Sequence, residues 1–504
     1  LKRFKTFVCV TLLALASVSF AQDGTLPRFE PLDSCFIEIP EGVNFECGHV
    51  IVPEFHTKDT NGTVSIGVVR LLSPSDSSAE PLFHMAGGPG GSIIESAAAD
   101  AGIIVEDSSS YDAQILANHD LVYVEQRGAK FSEPFLSCGP EYMADYLTIA
   151  TSGGAPEEST KALYNGLKAC YDGYVANGVD ISAYNSLEMA ADINAVREVF
   201  GYDKINYLGE SYSTLLGQHI MREYPDILNA VILDGVINIT NTSWEQRIAE
   251  RVQGSLDTLV TRCQNDESCS TAYPTFAEDL NLAKEKLDQE PFMVDLQGFQ
   301  IQVDSTIFAY AISNALYGGG GNIPLAVHGY LNDFSNDRAD ALSRNFFFLT
   351  TLFSADEISL IQHYGTVCAE DPPTQEDMST EETAFSFVEK QATFDVSGYL
   401  EMCPYINPPA LPDGTDDLMT SDIPVLLLHG SLDPVTPRFL VEPIREGLTT
   451  SYSFEFPNTG HIQFAAKLEC AQNIVTQFLT DPMTEPDSSC IAEVPPVAFE
   501  LPQE

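Results

Sequence analysis

The chain has 504 residues, with 24 Lys and Arg against 73 Asp and Glu, a formal net charge of −49 and 44% hydrophobic residues. Such acidity argues against nucleic acid and anionic membranes as partners, while the apolar content excludes disorder and supports a large core. The excess carboxylates suit a surface solvated in salty water, and they would also draw in a cationic group such as a peptide's free amine.

The chain begins Leu1-Lys2-Arg3-Phe4-Lys5, runs from Thr6 to Phe20 almost without polarity, and closes that stretch on Ser19-Phe20-Ala21. A basic head, a short apolar run and small residues before the cut read as a secretory signal peptide, 1–21, cleaved after Ala21. About 15 apolar residues are short for a bilayer span. No later stretch approaches ~18 uncharged apolar residues, so no stable membrane insertion is expected after cleavage. The mature protein is therefore expected to be secreted or periplasmic, and still more acidic once Lys2, Arg3 and Lys5 are lost.

Cys9 would leave with the signal. The ten cysteines that remain form an even set in an exported chain, which suggests disulfides. Pairing neighbours in order gives Cys35–Cys47, Cys138–Cys170, Cys263–Cys269, Cys368–Cys403 and Cys470–Cys490. Zinc is the rival reading, but there is no C-x-x-C pair and no H-E-x-x-H, and no metal or cofactor is expected.

Apolar runs at Gly48–Pro53, Thr63–Leu72, Pro81–Met85, Asp120–Glu125, Lys204–Gly209 and Ala230–Leu233 predict strands, several of them buried on both faces of a mostly parallel sheet. Leu187, Ala190, Ala191, Ile193, Val196 and Val199 recur at spacings of three and four, which predicts a helix over Leu187–Phe200 stopped by Gly201. A second helix is expected over Tyr212–Tyr224, ended by Pro225. From about Asn238 to Asp417 the texture changes to helices, such as Trp244–Cys263 and Phe276–Leu287, alternating with loops that include Gly318-Gly319-Gly320-Gly321-Asn322. Strands return at Ile423–His429 and Ser451–Phe456, with helices expected at Arg438–Glu446 and Ile462–Leu479. The expected fold is α/β: a core with a mostly parallel central sheet and an inserted helical cap over the carboxyl ends of the strands. Its parts are a signal peptide at 1–21, a first core part at 22–237, a mainly helical cap at 238–417, a second core part at 418–480 and a surface tail at 481–504.

One motif carries chemistry. In Leu208-Gly209-Glu210-Ser211-Tyr212-Ser213 a serine sits between a strand and a helix, flanked by small residues. The pentapeptide alone is weak evidence, but strand–turn–helix context is what a nucleophile elbow needs. The helix N-terminus favours developing negative charge, so the Tyr212 N–H is the first candidate oxyanion donor. A second is expected from Ala86-Gly87-Gly88-Pro89-Gly90-Gly91, where glycines let the backbone approach a substrate; Gly88 is preferred, then Gly87. The phosphate-loop reading of that stretch lacks the G-K-[ST] ending.

The general acid–base partners lie downstream. Asp433 follows the strand Ile423–His429, whereas Asp422 precedes it and falls at the wrong end of the sheet. Of the histidines after Ser211, His219 lies within a helix, His328 and His363 lie in the cap, and His429 ends a strand. Only His461, after Ser451–Phe456 and Gly460, sits in a strand-end loop. The order Ser211, Asp433, His461 is that of an α/β-hydrolase.

With these residues placed, the chain resembles the prolyl/tripeptidyl aminopeptidase family of α/β-hydrolase serine peptidases. The resemblance rests on Gly87-Gly88-Pro89-Gly90, on Gln126-Arg127-Gly128 with Ser132 and Pro134, on Gly209-Glu210-Ser211-Tyr212, on Leu233-Asp234-Gly235, and on Asp433 and His461. The ending Pro486-Asp487-Ser488-Ser489-Cys490 is similar to the C-terminal portion of the secreted tripeptidyl branch. Three positions depart from the pattern: Glu125 stands for an aspartate, and Lys130 and Ser213 for glycines. The resemblance implies release of residues or short peptides from substrates with a free N-terminus, and close relatives hydrolyse simple esters. An ammonium-binding carboxylate is then expected near Ser211, with Glu370 or Asp371 in Cys368-Ala369-Glu370-Asp371-Pro372 as candidates and Glu210 as a third. The alternatives are a carboxylesterase with the same triad and, in another class, a catalytically silent binding protein. Oligomeric state is not legible.

Overall fold

The computed structural model describes residues 25–502 apart from 59, 76–78, 152–155, 241–246, 297–298, 333–357 and 379–384. The expected signal peptide at 1–21 lies outside the described residues.

The strands are β1 (Arg28–Pro31), β2 (Phe45–Pro53), β3 (Thr63–Leu71), β4 (Leu82–Met85), β5 (Leu121–Val124), β6 (Ile205–Glu210), β7 (Leu228–Asp234), β8 (Phe292–Leu296), β9 (Phe299–Val303), β10 (Val425–Gly430) and β11 (Ser451–Phe456). Nine of them form one sheet in the order β1-β2-β3-β5-β4-β6-β7-β10-β11. From β5 to β11 every neighbouring pair is parallel, while β1, β2, β3 and β5 meet antiparallel at one edge. β4, β5, β6 and β10 are buried along their whole length, as parallel strands covered on both faces must be. β1 and the separate β8–β9 hairpin have no counterpart among the expected strands.

Helices α1 (Ile94–Glu106) and α2 (Tyr111–Leu116) cover one face. α3 (Ala144–Thr151) and α4 (Pro156–Ala176) follow β5. α5 (Ser186–Phe200) and α6 (Tyr212–Glu223) cover the opposite face. α5 starts where the Asn185 side chain accepts from the Leu187 and Glu188 N–H groups, and it ends at Gly201 in the left-handed region (φ 74°). Strand order reverses around β4: the chain goes from β4 to β5 on one side, then to β6 on the other. The crevice where α/β sheets bind ligands opens at such a reversal, so the loops after β4 and β6 face one another there.

A helical layer follows β7, comprising α7 (Ile248–Asn265), α8 (Glu267–Ala272), α9 (Phe276–Gln289), α10 (Ser305–Tyr317), α11 (Ile323–Asn332), α12 (Leu360–Ala369) and α13 (Val388–Ile406). Its core, including Leu256, Leu280, Phe308, Ile312 and Phe387, is distinct from the two clusters flanking the sheet. The layer also takes in residues before α5, which the expected boundary at 238 leaves in the core. Tyr142, Met143 and Leu167 from the α3–α4 region pack with Ile361, Met402 and Ile406 of α12 and α13. An apolar face tells that a helix is buried but not against which element, so the sequence did not separate this segment from the core.

The second core part differs in detail. In place of a helix over Arg438–Glu446 there is a 3₁₀ turn at Arg438–Leu440 and one α turn, α14 (Glu442–Arg445). α15 begins only at Glu469 and runs to Thr480, not from Ile462. The residues before it are pulled into a loop in which Ile462 (φ 64°) and Lys467 (φ 56°) are left-handed. Lys467 Nζ reaches Asp100 (2.7 Å) and Asp112 (2.9 Å), anchoring that loop on α1 and α2. The five disulfides join each cysteine to the next in the chain, from Cys35–Cys47 to Cys470–Cys490.

Arg127, directly after β5, is the largest fully buried side chain. Its guanidinium forks onto Asp192 of α5 with two bonds of 2.7 Å and donates to the carbonyls of Glu54 and Ala183. Burial works against the Asp192 charge, but Arg127 outweighs it and holds that carboxyl below its ordinary value. Arg127→Leu leaves the buried carboxylate with His56 (2.8 Å) but without its guanidinium, so urea unfolding should show a loss of about 3–5 kcal/mol. The double variant with Asp192→Leu should recover part of it; full stability in the single variant would contradict this role.

Candidate active site

Four consecutive strands, β6, β7, β10 and β11, deliver Ser211, Gly235, Asp433 and His461 to one rim of the sheet. Ser211 ends β6 and opens α6 with φ 51° and ψ −117°. A non-glycine residue held there costs roughly 1–3 kcal/mol and persists only when its surroundings enforce it. They do so through backbone contacts. The Ser211 N–H donates to the Asp234 carbonyl (2.9 Å), the Thr214 hydroxyl donates to the Ser211 carbonyl (2.6 Å), and a Cβ on Gly209 would lie 2.2 Å from the Ser213 carbonyl oxygen. Ser213, standing where the family has glycine, turns its hydroxyl onto the Ala86 carbonyl and ties the elbow to the loop after β4.

That loop is held from three sides. Gln126 Nε2 donates to the carbonyls of Ala86 (2.8 Å) and Gly87 (2.9 Å), and its Oε1 accepts from the Gly90 N–H (2.9 Å). From α12, His363 Nδ1 donates to the Pro89 carbonyl (3.0 Å). Glu125 accepts from the Ile93 N–H (3.0 Å) and the Phe131 N–H (3.2 Å), its carboxyl pushed up to about 7 by burial against the pull of these donors. The extra methylene that distinguishes Glu125 from the family's aspartate thus holds the start of α1. Lys130 lies aside, paired with Glu95 (3.0 Å). The loop passes so close to the serine that a Cβ on Gly87 would lie 2.6 Å from Ser211 Cβ and 3.3 Å from its Oγ. Gly88 follows at φ +115°, a conformation that favours glycine.

Asp433 is fully buried. Its Oδ1 accepts from the Val435 (2.8 Å) and Thr436 (2.9 Å) N–H groups, and its Oδ2 accepts from the Thr436 hydroxyl (2.6 Å) and from His461 Nδ1 (2.7 Å). Burial raises its pKa, but His461 and Thr436 outweigh that and bring it to about 2. The same balance acts on His461. Burial pushes the imidazole down, whereas Asp433, Asp234 and Glu210 lift it above its ordinary 6.5. Among the described residues neither Ser211 Oγ nor His461 Nε2 has a hydrogen-bond partner, and such contacts often tighten only when substrate is bound.

Residues 112–284 match the family described as alpha/beta hydrolase fold, and residues 395–490 match the family described as TAP-like protein. The chain has an α/β-hydrolase fold, and its segment 395–490 is similar to TAP-like proteins. It is 27% identical over 241 residues to "Serine protease Hip1" of Mycobacterium tuberculosis, covering 46% of this chain and 44% of that protein. It is also 27% identical over 201 residues to "Tripeptidyl aminopeptidase" of Streptomyces lividans, covering 38% of this chain and 35% of that protein. The matches therefore span less than half the length of these curated relatives. Among solved structures, proline iminopeptidase of Mycobacterium smegmatis is 15% identical with a TM-score of 0.39, over 86% of this chain and 98% of that one.

In this hydrolase two of the three acids considered for binding an amine are engaged by other side chains. Glu210 shares its side of β6 with Leu208, whose cluster lies under α1 and α15, and its Oε1 accepts from His84 Nε2 at 2.5 Å. Strand alternation puts its side chain on that face of the sheet. Glu370 Oε1 takes the Ser186 N–H (3.2 Å) and the Ser186 hydroxyl at the start of α5, and that hydroxyl also bonds the Tyr212 hydroxyl (2.6 Å). Its place is behind the elbow, bracing it. Asp371 is half-buried near Asp416, and burial, then Asp416, push it up to about 6.

Sequence reasoning assigned no role to Asp234, although Leu233-Asp234-Gly235 was part of the family pattern. Its carboxylate is fully buried and accepts from the N–H groups of Gln463 (2.9 and 2.7 Å) and Phe464 (2.6 Å), fixing the loop that carries His461. Burial raises its pKa to about 7, with Phe464 and Gln463 opposing. An acid ending an otherwise apolar strand was the available signal. In Asp234→Asn an amide N–H would face backbone donors, so the imidazole loses its register. Steady-state kinetics should show kcat reduced about 100-fold, or ~2.7 kcal/mol, with KM nearly unchanged and the circular dichroism spectrum retained. Unaltered kcat would remove the role.

Proposed function

We propose that this hydrolase is an exported serine exopeptidase, releasing N-terminal residues or short peptides through an acyl-enzyme. The observation that carries the reading is the buried Asp433–His461 pair at the same rim as the strained Ser211. Ser211 Oγ attacks the scissile carbonyl while His461 Nε2 takes its proton, and Asp433 keeps the Nδ1 proton in place and stabilises the imidazolium. The Tyr212 N–H at the start of α6 and the Gly88 N–H, with Gly87 as the neighbouring alternative, stabilise the oxyanion. His461 then returns the proton to the departing amine, and water, activated by the same imidazole, releases the acyl group. Five disulfides support an extracytoplasmic location, and no described helix is long and apolar enough to cross a membrane. The relative named as a tripeptidyl aminopeptidase supports action on peptides with a free N-terminus.

A carboxylesterase is the second reading, favoured by one observation: Glu210 Oε1 is engaged by His84 and Glu370 Oε1 by Ser186. Comparing N-terminally free peptide anilides, their N-blocked counterparts and a p-nitrophenyl ester separates the two. The exopeptidase should cleave the free anilides at least about tenfold faster than the blocked ones, a difference of ~1.4 kcal/mol. Ester turnover without anilide turnover would favour the esterase. A fluorophosphonate should label the wild type and not Ser211→Ala; no labelling of the wild type would indicate a silent protein.

The pH profile follows from His461. The base must be neutral, and its pKa is raised above 6.5, so kcat/KM should fall on the acid side with a midpoint above 6.5. Asp433→Asn removes the carboxylate that does most to lift the imidazole, so the midpoint should move down as the plateau drops. A wild-type midpoint well below 6.5 would argue against His461 as the base.

A further inference from the structure

The helical layer meets His461 at the place where the sequence carries four successive glycines. α10 ends at Tyr317, whose carbonyl accepts from the His461 N–H (3.0 Å). The approach is so close that a Cβ on Gly460 would lie 2.0 Å from that carbonyl oxygen. Gly319 and Gly320 then take φ of +88° and +69°, turning the chain back toward α11. The C-terminal segment closes the other side. The Glu500 N–H donates to the Gly321 carbonyl (3.0 Å), the Tyr273 hydroxyl to the Glu500 carbonyl (2.7 Å), and Asn458 Nδ2 to the Pro495 carbonyl (3.1 Å). Tyr317 is thus fixed by the helix before it, the loop of His461 beside it and the tail behind it.

Its ring stands edge to face on the imidazole of His461, with centroids 5.2 Å apart and planes at 74°. The other flanks of that imidazole are taken. Nδ1 faces Asp433 and Thr436, and Cε1 lies where a Cβ on Gly235 would come within 2.8 Å. Yet Tyr317 is 41% exposed. Tyr317 is thus an aromatic residue that packs on the catalytic base while part of it stays exposed. In acyl transfer Nε2 hands its proton to the departing group, so that group is the part of the substrate brought nearest to this ring.

We propose that Tyr317 is a specificity-determining residue, its ring forming the wall of the subsite for the leaving group and favouring a bulky apolar or aromatic one. This rests on the acyl-transfer reading of Ser211 and His461. Edge-to-face contact with an aromatic leaving group would supply the preference. The test uses two peptide series identical up to the scissile bond, one with Phe and one with Gly after it, together with phenyl and methyl esters of one acid. In Tyr317→Ala, kcat/KM should fall about tenfold for the Phe and phenyl substrates, chiefly through KM, and by less than about twofold for the Gly and methyl substrates. Tyr317→Phe should keep the wild-type ratio, and a fluorophosphonate should still label both variants. An equal loss in both series, or no loss in either, with labelling intact overturns the subsite alone. Failure of the wild type to label overturns the acyl-transfer reading, and the subsite with it.

Discussion

Asp234 joins the two halves of the site. Its carbonyl accepts from the Ser211 N–H, and its carboxylate accepts from Gln463 and Phe464 in the loop of His461. One residue at the end of β7 therefore sets the backbone of Ser211 and the loop of His461, with Gly235 next to it lying against the imidazole. Because β6, β7, β10 and β11 are parallel neighbours, their carboxyl ends share one rim, and a contact made there acts on every residue the rim carries. Precise placement of a base relative to a nucleophile is worth more in rate than any single contact costs in stability.

The interior uses carboxylates to hold backbone. Glu125 fixes the start of α1, Asp192 receives Arg127, Glu370 caps α5, and Asp433 orders its own turn before it reaches His461. Each gathers N–H donors or a cation that repay part of the cost of burial. The opposing tendencies are visible in their acidities: Glu125 and Asp234 are driven up by burial, whereas Asp433 and Asp192 are brought down by their partners. The strongly negative composition is thus a matter of the core near the site as well as of the surface.

The helical layer is an active part of this arrangement. From α7, Arg251 donates to the Val435 carbonyl (2.6 Å) and Ser255 to the Asp433 carbonyl (2.8 Å), so the turn of Asp433 is held from above. From α12, His363 and Gln362 close on the glycine loop. The tail reaches the seam at Gly321 after Cys470–Cys490 has fixed its start. Segments hundreds of residues apart therefore bear on the same few side chains, and substitutions in the layer would be felt at the rim.

Ser211, Asp433 and His461 could be singled out as candidates because each sits at a strand end where local pattern alone marks the position, and the parallel sheet followed from apolar runs that only two-sided burial explains. The disulfide order, the α5 helix with its glycine stop and the elbow were read the same way. What could not be read depended on partners distant in sequence. Glu210 looked available beside the serine until His84 on β4 claimed it. Residues 462–468 have the pattern of a helix, but Asp234, Asp100 and Asp112 hold them as a loop, since several charge-assisted bonds outweigh a turn of helix propensity. The sequence by itself determined which residue types stand at each strand end, because periodicity and turn chemistry are local. Only the tertiary structure decided which buried acid meets which backbone donor, because those contacts form between strands and loops that the sheet, and not the chain, makes neighbours.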